Sequence, residues 1–560
     1  MDNPLPNIAF HRWGLPALVA LAAGAVVLCG IDAAGDYPQL PQGPGLTVDE
    51  SFNVQEGVRL VVALPELVAG RFSLQNVFGS AAEQSRRSPI GPHNPDHPPG
   101  GRIFIGLVHQ VTRAYFPPND HDSLFVTSCA RPASGLAFAG LVFLVGWVAT
   151  KWYGRDAGFV AAVAVVIMPR LFGHAHLASL ETCIGTIYAA TVLAVAHNWS
   201  GQLPPSKKAA WLTGCLFGLA LLTKIQAILL PVPVAIWAIC YWRRRALLPL
   251  MIWIVTAGLV FFVGWPWLWL DPLEHLLEYF GRTTNRETLS VFYLGQEYAD
   301  VSVPWHYPAV MFLITVPVGL QGLGFIGLFS GKRPAVNLPR EQLVLGCVLF
   351  PLILFSLPGI AVYDGARLFL VVFPLWAILI ARGSADVLQW LRGKLSARTA
   401  TSLFALFFAA QGYGVVDFWP CHLSYYNLLV GGLRGAERLG LEPTYWGDSL
   451  TRDFLEATAQ AIPPDATLEV FPMLHPFFVE ELLNQSPILR HRRLRLKAWI
   501  GNEVTQTRYI AIFRRRADLP PMLQHPPPSV KLLALVKRQG VLLAALYEFS
   551  PSSTSAPGPE

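Results

Sequence analysis

Charge is what this sequence has least of. Only 14% of its 560 residues are Asp, Glu, Lys or Arg, against roughly a quarter in ordinary soluble domains. With 53% hydrophobic residues and a mean hydropathy of +0.42, the chain lacks the polar surface a water-soluble globule needs, which points to an integral membrane protein. CxxC pairs are also missing. Of the seven cysteines, Cys29, Cys129, Cys183, Cys215, Cys240 and Cys347 lie in or beside apolar runs and Cys421 follows the last run. They read as small buried apolar residues, which excludes a disulfide framework or a cysteine zinc site as the organising feature. A basic face interleaved with aromatics is absent too: the net charge of +6 is scattered between apolar runs, so nucleic acid is not an expected partner. Residues 15–31 lack a small-residue cleavage site and read as a span, not a signal peptide. No internal repeat is evident.

What is present is a series of apolar runs, near 14–31, 132–150, 155–170, 177–196, 209–223, 225–242, 246–269, 308–329, 343–362, 366–381 and 400–417. These predict a mainly α, polytopic transmembrane bundle of about eleven spans. Basic residues mark alternate connections: Arg12, Lys151 with Arg155, Lys207 with Lys208, Arg243–Arg245, Lys332 with Arg333, and Arg392, Lys394 and Arg398. The positive-inside rule puts this set and the N-terminus in the cytoplasm. The long 32–131 segment and everything after 418 then face the other side. The expected organisation is a membrane domain over 1–419 with an extracytoplasmic loop at 32–131, a small extracytoplasmic α/β domain over 420–550, and a disordered Ser/Pro-rich tail at 551–560.

The outer loop is too long to be a simple connector. Its apolar spacing predicts surface helices over 51–68 and 101–112, flanking HNPDHPPG at 93–100. In the last region, 449–461 and 476–484 read as helices, and 467–471, 509–513, 531–537 and 541–549 read as strands.

The loop opens with GLTVDESFNVQEGVR at 45–59, which carries the adjacent acids Asp49 and Glu50. The local reading is that Asp49 caps the helix beginning near Glu50. The wider pattern suggests more, because ionisable residues at span edges are costly and therefore functional candidates. Arg170, His174, His176 and Glu181, then Lys224, then His275, Arg282, Arg286 and Glu287, then Tyr363, Asp364 and Arg367 all fall on the predicted outer side with Asp49. Snorkelling and interfacial pairing account for some of these, Arg282 and Arg286 above all. Cations at a bilayer surface facing a carboxylate also suit phosphate departure from a lipid carrier, with the carboxylate as general base on an incoming hydroxyl. His174-Ala-His176 is a poor metal signal. A divalent metal could assist this chemistry as a Lewis acid.

These residues resemble the GT-C membrane glycosyltransferases, in particular the protein O-mannosyltransferases of glycosyltransferase family 39 and bacterial lipid A aminoarabinose transferases. The motifs that carry the likeness are the acid pair, HPP at 97–99, PRLFGHAHLASLET at 169–182, LTK at 222–224, YLGQEY to PWHYP over 293–308, YDGARLFLVVFP at 363–374, HLSYYNLLVGGLRGA at 422–436 and TYWGDSL at 444–450. The resemblance implies a GT-C fold and an inverting transfer from a polyprenyl-phosphate-linked sugar to an acceptor hydroxyl on a protein, lipid or glycan. A bacterial inner or plasma membrane is implied as the site. Asp49 would be the base, and Glu50 would orient the acceptor or support the helix. Lys224, Arg367, Arg286 and His176 would hold the donor phosphate, with His97, Glu181, Tyr363 and Asp364 binding substrate. Two positions depart from the pattern: Glu181 stands where many relatives have Asp, and Leu368 where some have a basic residue. The rival classes are a flippase for lipid-linked sugars and a ligase or polymerase of preformed glycans. A flippase would show mid-span charges, broken helices and repeated halves; mid-span charges are few here, no repeat is evident and the long outer loop carries acids, which favours an enzyme, while product mass separates the ligase.

Overall fold

The computed structural model describes residues 7–79, 93–119, 123–284, 287–330, 337–472, 474–499 and 509–549. Arg286, Lys332, Arg333 and the 551–560 tail lie outside the described residues.

Every apolar run contains helix, though not over its whole length. Asn7–Cys29, Pro132–Tyr153, Leu180–Asn198 and Lys207–Thr223 follow the sequence reading closely. Among the described residues, five helical stretches are long and apolar enough, by length and composition, to cross a membrane. The count rises to seven if two bent pairs each make one span. The pair Arg155–Val166 and Pro169–Ala175 bends by 68°, and Tyr307–Thr315 and Val318–Phe329 by 113°. The prolines at 169 and 317 sit at these breaks, where the missing N–H and fixed φ prevent a straight continuation. The 40-residue stretch Ile225–Gly264 is interrupted at Arg243, whose φ of 48° breaks the helix between Pro231–Trp242 and Leu247–Gly264.

One boundary differs in a way that matters. The run expected at 366–381 begins as a turn, with a single 3-10 turn at Arg367–Phe369, and the helix proper is Val372–Arg392. Pro374 is confined to its first turn. The apolar LFLVV at 368–372 is therefore partly non-helical, and Arg367 is held in the turn ahead of the helix.

In the long loop, helices Val48–Val68 and Pro99–Tyr115 pack on each other. They cross so closely that a Cβ on Gly106 would lie 2.1 Å from the Gly57 carbonyl oxygen, and one on Gly57 would lie 2.3 Å from that of Arg102. Only glycine allows that approach.

Two sheets complete the fold. A hairpin pairs β1 (Ser290–Tyr293) with β2 (Gln296–Ala299). The second sheet holds β3 (Thr467–Phe471), β4 (Arg495–Ala498), β5 (Tyr509–Phe513), β6 (Lys531–Arg538) and β7 (Val541–Glu548) in the order β4-β3-β5-β7-β6. β3 runs parallel to β4 and β5, while β7 is antiparallel to β5 and β6. Every residue of central β5 is buried, as a strand covered on both faces requires. This region docks on the 32–47 linker: Arg452 Nη1 pairs with Asp32 Oδ2 at 2.8 Å, and the Gly45 N–H donates to the Asp448 carbonyl at 2.8 Å.

Candidate functional site

Four chain segments end at one place. Asp49 occupies the first turn of Val48–Val68, and Glu181 the first turn of Leu180–Asn198. Carboxylates there gain from the partial positive charge of a helix N-terminus. Lys224 follows the last residue of Lys207–Thr223 in extended backbone, and Asp364 and Arg367 lie in the turn before Val372–Arg392. Lys151, Arg155, Lys207, Lys208 and Arg392 lie at the opposite ends of these helices or their neighbours.

Arg367 is the hub. Its Nε donates to Glu181 Oε1 at 2.9 Å, its Nη1 to Asp364 Oδ2 at 2.9 Å, and its Nη2 to Asp49 Oδ2. Lys224 Nζ donates to the same Glu181 oxygen at 2.5 Å. The guanidinium carbon lies 4.1 Å from the Trp446 ring centroid and 5.8 Å from that of Tyr363. A planar cation with several donors in a fixed fork suits this task, because its N–H groups reach carboxylates on different sides, whereas an ammonium offers its three donors from a single point. Glu181 and Lys224 are each 3% exposed and Asp364 8%, whereas 23% of the Asp49 side chain is exposed. Asp49 is thus the carboxylate of this cluster that another molecule can reach. Burial lifts its carboxyl above the usual range; Arg367 and Lys224 pull it back, while Glu181 and Asp364 push it up.

Several polar atoms around the cluster are buried with no hydrogen-bond partner: Glu181 Oε2, Asp364 Oδ1, Arg170 Nη1, His174 Nδ1, His97 Nδ1 and Arg102 Nη2. Buried polar groups are normally satisfied, so this set marks a place suited to a polar molecule. Burial holds the His97 imidazole neutral, at about 3, with Lys224 and Arg102 opposing protonation and Asp96 favouring it.

Not every expected residue joins. Glu50 is fully buried. It receives hydrogen bonds from Arg131 Nε at 2.8 Å and Nη2 at 2.9 Å, from the Ala178 N–H at 2.7 Å, and from the Thr47 N–H and Oγ1 at 3.0 Å each. This moves the cap from Asp49 to Thr47 and, of the two roles open to Glu50, fits support of the helix. Thr47 is the N-cap with Glu50 as its partner three residues on, so Asp49 is not the cap, and Glu50 ties the helix start to Arg131 and the Ala178 N–H. Removing one partner of a buried ion pair typically costs about 3–5 kcal/mol. Glu50→Ala is therefore expected to lower the melting temperature of the detergent-solubilised protein sharply, with Asp49→Asn close to wild type in the same scan.

His176 also stands apart from the cations. Its Nδ1 bonds the Phe172 carbonyl at 2.8 Å, and its ring stacks on His422 at 5.9 Å beside Trp419. His174 turns instead toward Trp446, with centroids 5.3 Å apart. Residues two apart on a helix do not share a face, so the HAH sequence does not make a ligand pair. Among the described residues no group of three or more His, Cys, Asp or Glu is arranged to hold a metal ion. Trp446 and Arg515 were not singled out in the sequence. The first lies inside TYWGDSL; the second sits in an arginine run directly after a fully apolar strand, an unusual place for charge.

Residues 96–269 match the family model described as dolichyl-phosphate-mannose-protein mannosyltransferase. The matched stretch is similar to that family. It is less than a third of the sequence and holds His97, Glu181 and Lys224, with Asp49 and Arg367 outside it. The chain is also similar to two crystal structures of ArnT from Cupriavidus metallidurans, one apo and one bound to undecaprenyl phosphate. Each has 15% identity, 99% of this chain and 100% of that chain covered, and a TM-score of 0.46. It is similar as well to the oligosaccharyltransferase AglB from Archaeoglobus fulgidus in complex with an inhibitory peptide and a dolichol-phosphate. There the identity is 12%, the coverage 98% of this chain and 75% of that one, and the TM-score 0.47. Likenesses this distant assign no role to any residue here. No curated protein matches the chain.

Proposed function

We propose that this protein is an integral membrane glycosyltransferase that moves a sugar from a polyprenyl-phosphate carrier to an acceptor hydroxyl, with inversion and with Asp49 as the general base. The observation that carries this reading is the partly exposed Asp49 carboxylate sharing Arg367 with the buried Glu181–Lys224 pair. The donor class is supported by the family description of residues 96–269.

The acceptor O–H gives its proton to Asp49 as its oxygen bonds the anomeric carbon. The bond from that carbon to the phosphate oxygen breaks on the opposite face, and polyprenyl phosphate leaves with the electron pair. Lys224 and Arg367 offset the charge that develops on the phosphate. Glu181 keeps both cations in place when no phosphate is bound. Inversion in one displacement needs a single base and no carboxylate nucleophile. The test is to supply the protein, in nanodiscs, with a polyprenyl-phosphate sugar carrying a labelled sugar and with envelope extract as acceptor. Label should leave the carrier one sugar at a time. Undiminished donor refutes the assignment, and transfer of preformed chains makes the protein a ligase.

We place the cluster on the extracytoplasmic side, since the helix ends opposite it are rich in Lys and Arg. On a background lacking the exposed Cys29 and Cys240, Lys497→Cys is expected to react with a membrane-impermeant maleimide in intact cells, and Lys208→Cys only after lysis. The reverse pattern would invert the topology.

A further inference from the structure

Asp364 and Gly365 take left-handed backbone, with φ of 55° and 65°. For a residue with a Cβ this is a strained conformation, held only where its surroundings enforce it. The Gly365 N–H donates to Tyr307 Oη at 3.1 Å, and Asp364 Oδ2 accepts from Arg367 Nη1 at 2.9 Å. The other oxygen, Asp364 Oδ1, faces Arg515 Nη2 at 3.6 Å. Arg515 comes from the segment just after β5 and is 6% exposed. It is itself fixed from three sides: Nη2 donates to the Ser290 carbonyl at 3.2 Å, Nη1 pairs with Asp518 at 3.3 Å, and its own N–H donates to the Phe513 carbonyl at 2.9 Å. One carboxylate thus lies between two guanidinium groups, one from the turn before Val372–Arg392 and one from the segment after β5.

We propose that Arg515 is a positioning residue for Arg367: by drawing on the Asp364 carboxylate, it limits that carboxylate's hold on Arg367 and keeps the guanidinium turned to Asp49 and Glu181. This rests on the reading of the cluster as a transfer site. Without Arg515 the whole negative charge of Asp364 acts on Arg367, three residues along the same turn. Arg367 is then drawn away from the side where base and donor phosphate meet. Through this cation, and through Trp446 against the Arg367 guanidinium, the region after residue 420 enters catalysis.

The test compares wild type, Arg515→Ala, Asp364→Asn and the double variant in nanodiscs. Couplings between groups in direct contact change rates or equilibria by about threefold to a hundredfold. Arg515→Ala is expected to raise the donor KM and lower kcat/KM by about tenfold or more, with Arg515→Lys recovering part of the loss. In the Asp364→Asn background the same Arg515→Ala change should have little effect, because no carboxylate remains to overpull Arg367. A purely structural arginine would give the same loss in both backgrounds, and that result overturns the proposal, as does wild-type KM in Arg515→Ala. If Arg515→Ala fails to fold, the cycle is run with Arg515→Lys. The cycle is also read as shifts in melting temperature, with no substrate present. Non-additive shifts support the pairing even where the wild type turns over no donor, an outcome that removes only the transferase reading; additive shifts overturn the pairing.

Discussion

Asp49→Asn in the lipid-reconstituted protein is expected to cut turnover by about a hundredfold to ten-thousandfold, the usual contribution of a positioned general base. The amide keeps the shape of the carboxylate but cannot take the acceptor proton. Its effect should appear in kcat with both substrates saturating, because donor contacts through Lys224 and Arg367 remain. The pH profile supplies a second reading. Asp49 must be ionised to act, and burial raises its pKa above the ordinary 3.8 despite Arg367. Activity should therefore rise with pH through an acid limb lying above 3.8 and fall away below it. Initial rates across pH, with melting temperatures as a folding control, measure both. Turnover of Asp49→Asn within a few-fold of wild type would sink the mechanism.

The second large effect belongs to Arg367. Arg367→Lys keeps a positive charge but loses the fork that serves Asp49, Glu181 and Asp364 together. Removing one preorganised electrostatic contact to developing charge typically costs about 10²–10³ in kcat, and the loss should exceed that of Lys224→Ala. Lys224 pairs with Glu181 and with no other carboxylate among the described residues, so its removal should act first on the donor KM. Binding of polyprenyl phosphate alone, measured without acceptor, separates the two: Lys224→Ala should weaken it, and an unchanged affinity would remove Lys224 from the phosphate site. Arg367→Ala is the harsher variant, because it leaves buried carboxylates short of a cation, at about 3–5 kcal/mol for a broken buried pair.

The helical runs could be read from the sequence because twenty apolar residues in a row have few other solutions. The turn before Val372 could not, because it depends on positive φ at Asp364, a residue whose side chain gives little warning of it. The site was legible as a set of ionisable residues on one predicted side. Its wiring was not. Asp49 and Arg367 are 318 positions apart, and nothing local signals that Arg367 is shared by three carboxylates. Asp49 and Glu50 look equivalent as neighbours in sequence, yet adjacent helical positions point about 100° apart. One meets Arg367 at the exposed rim and the other Arg131 in the interior. Strand β4 escaped notice because RLKA reads as a basic run; charge of this kind is how edge strands avoid pairing with other chains. The β1–β2 hairpin was hidden by its Leu294-Gly295 turn, where a leucine takes a φ of 51°.

The backbone contact between Gly57 and Gly106 has a consequence for how this protein can vary. Two helices touching main chain to main chain behave as a single plank, so the carboxylate at one end keeps its place whatever decorates the outer surfaces. Val62, Leu107 and Val111, all exposed, are free to drift with the lipid or protein they meet. The two glycines have no such licence: one added methyl group would wedge the plank apart and carry Asp49 off its partner.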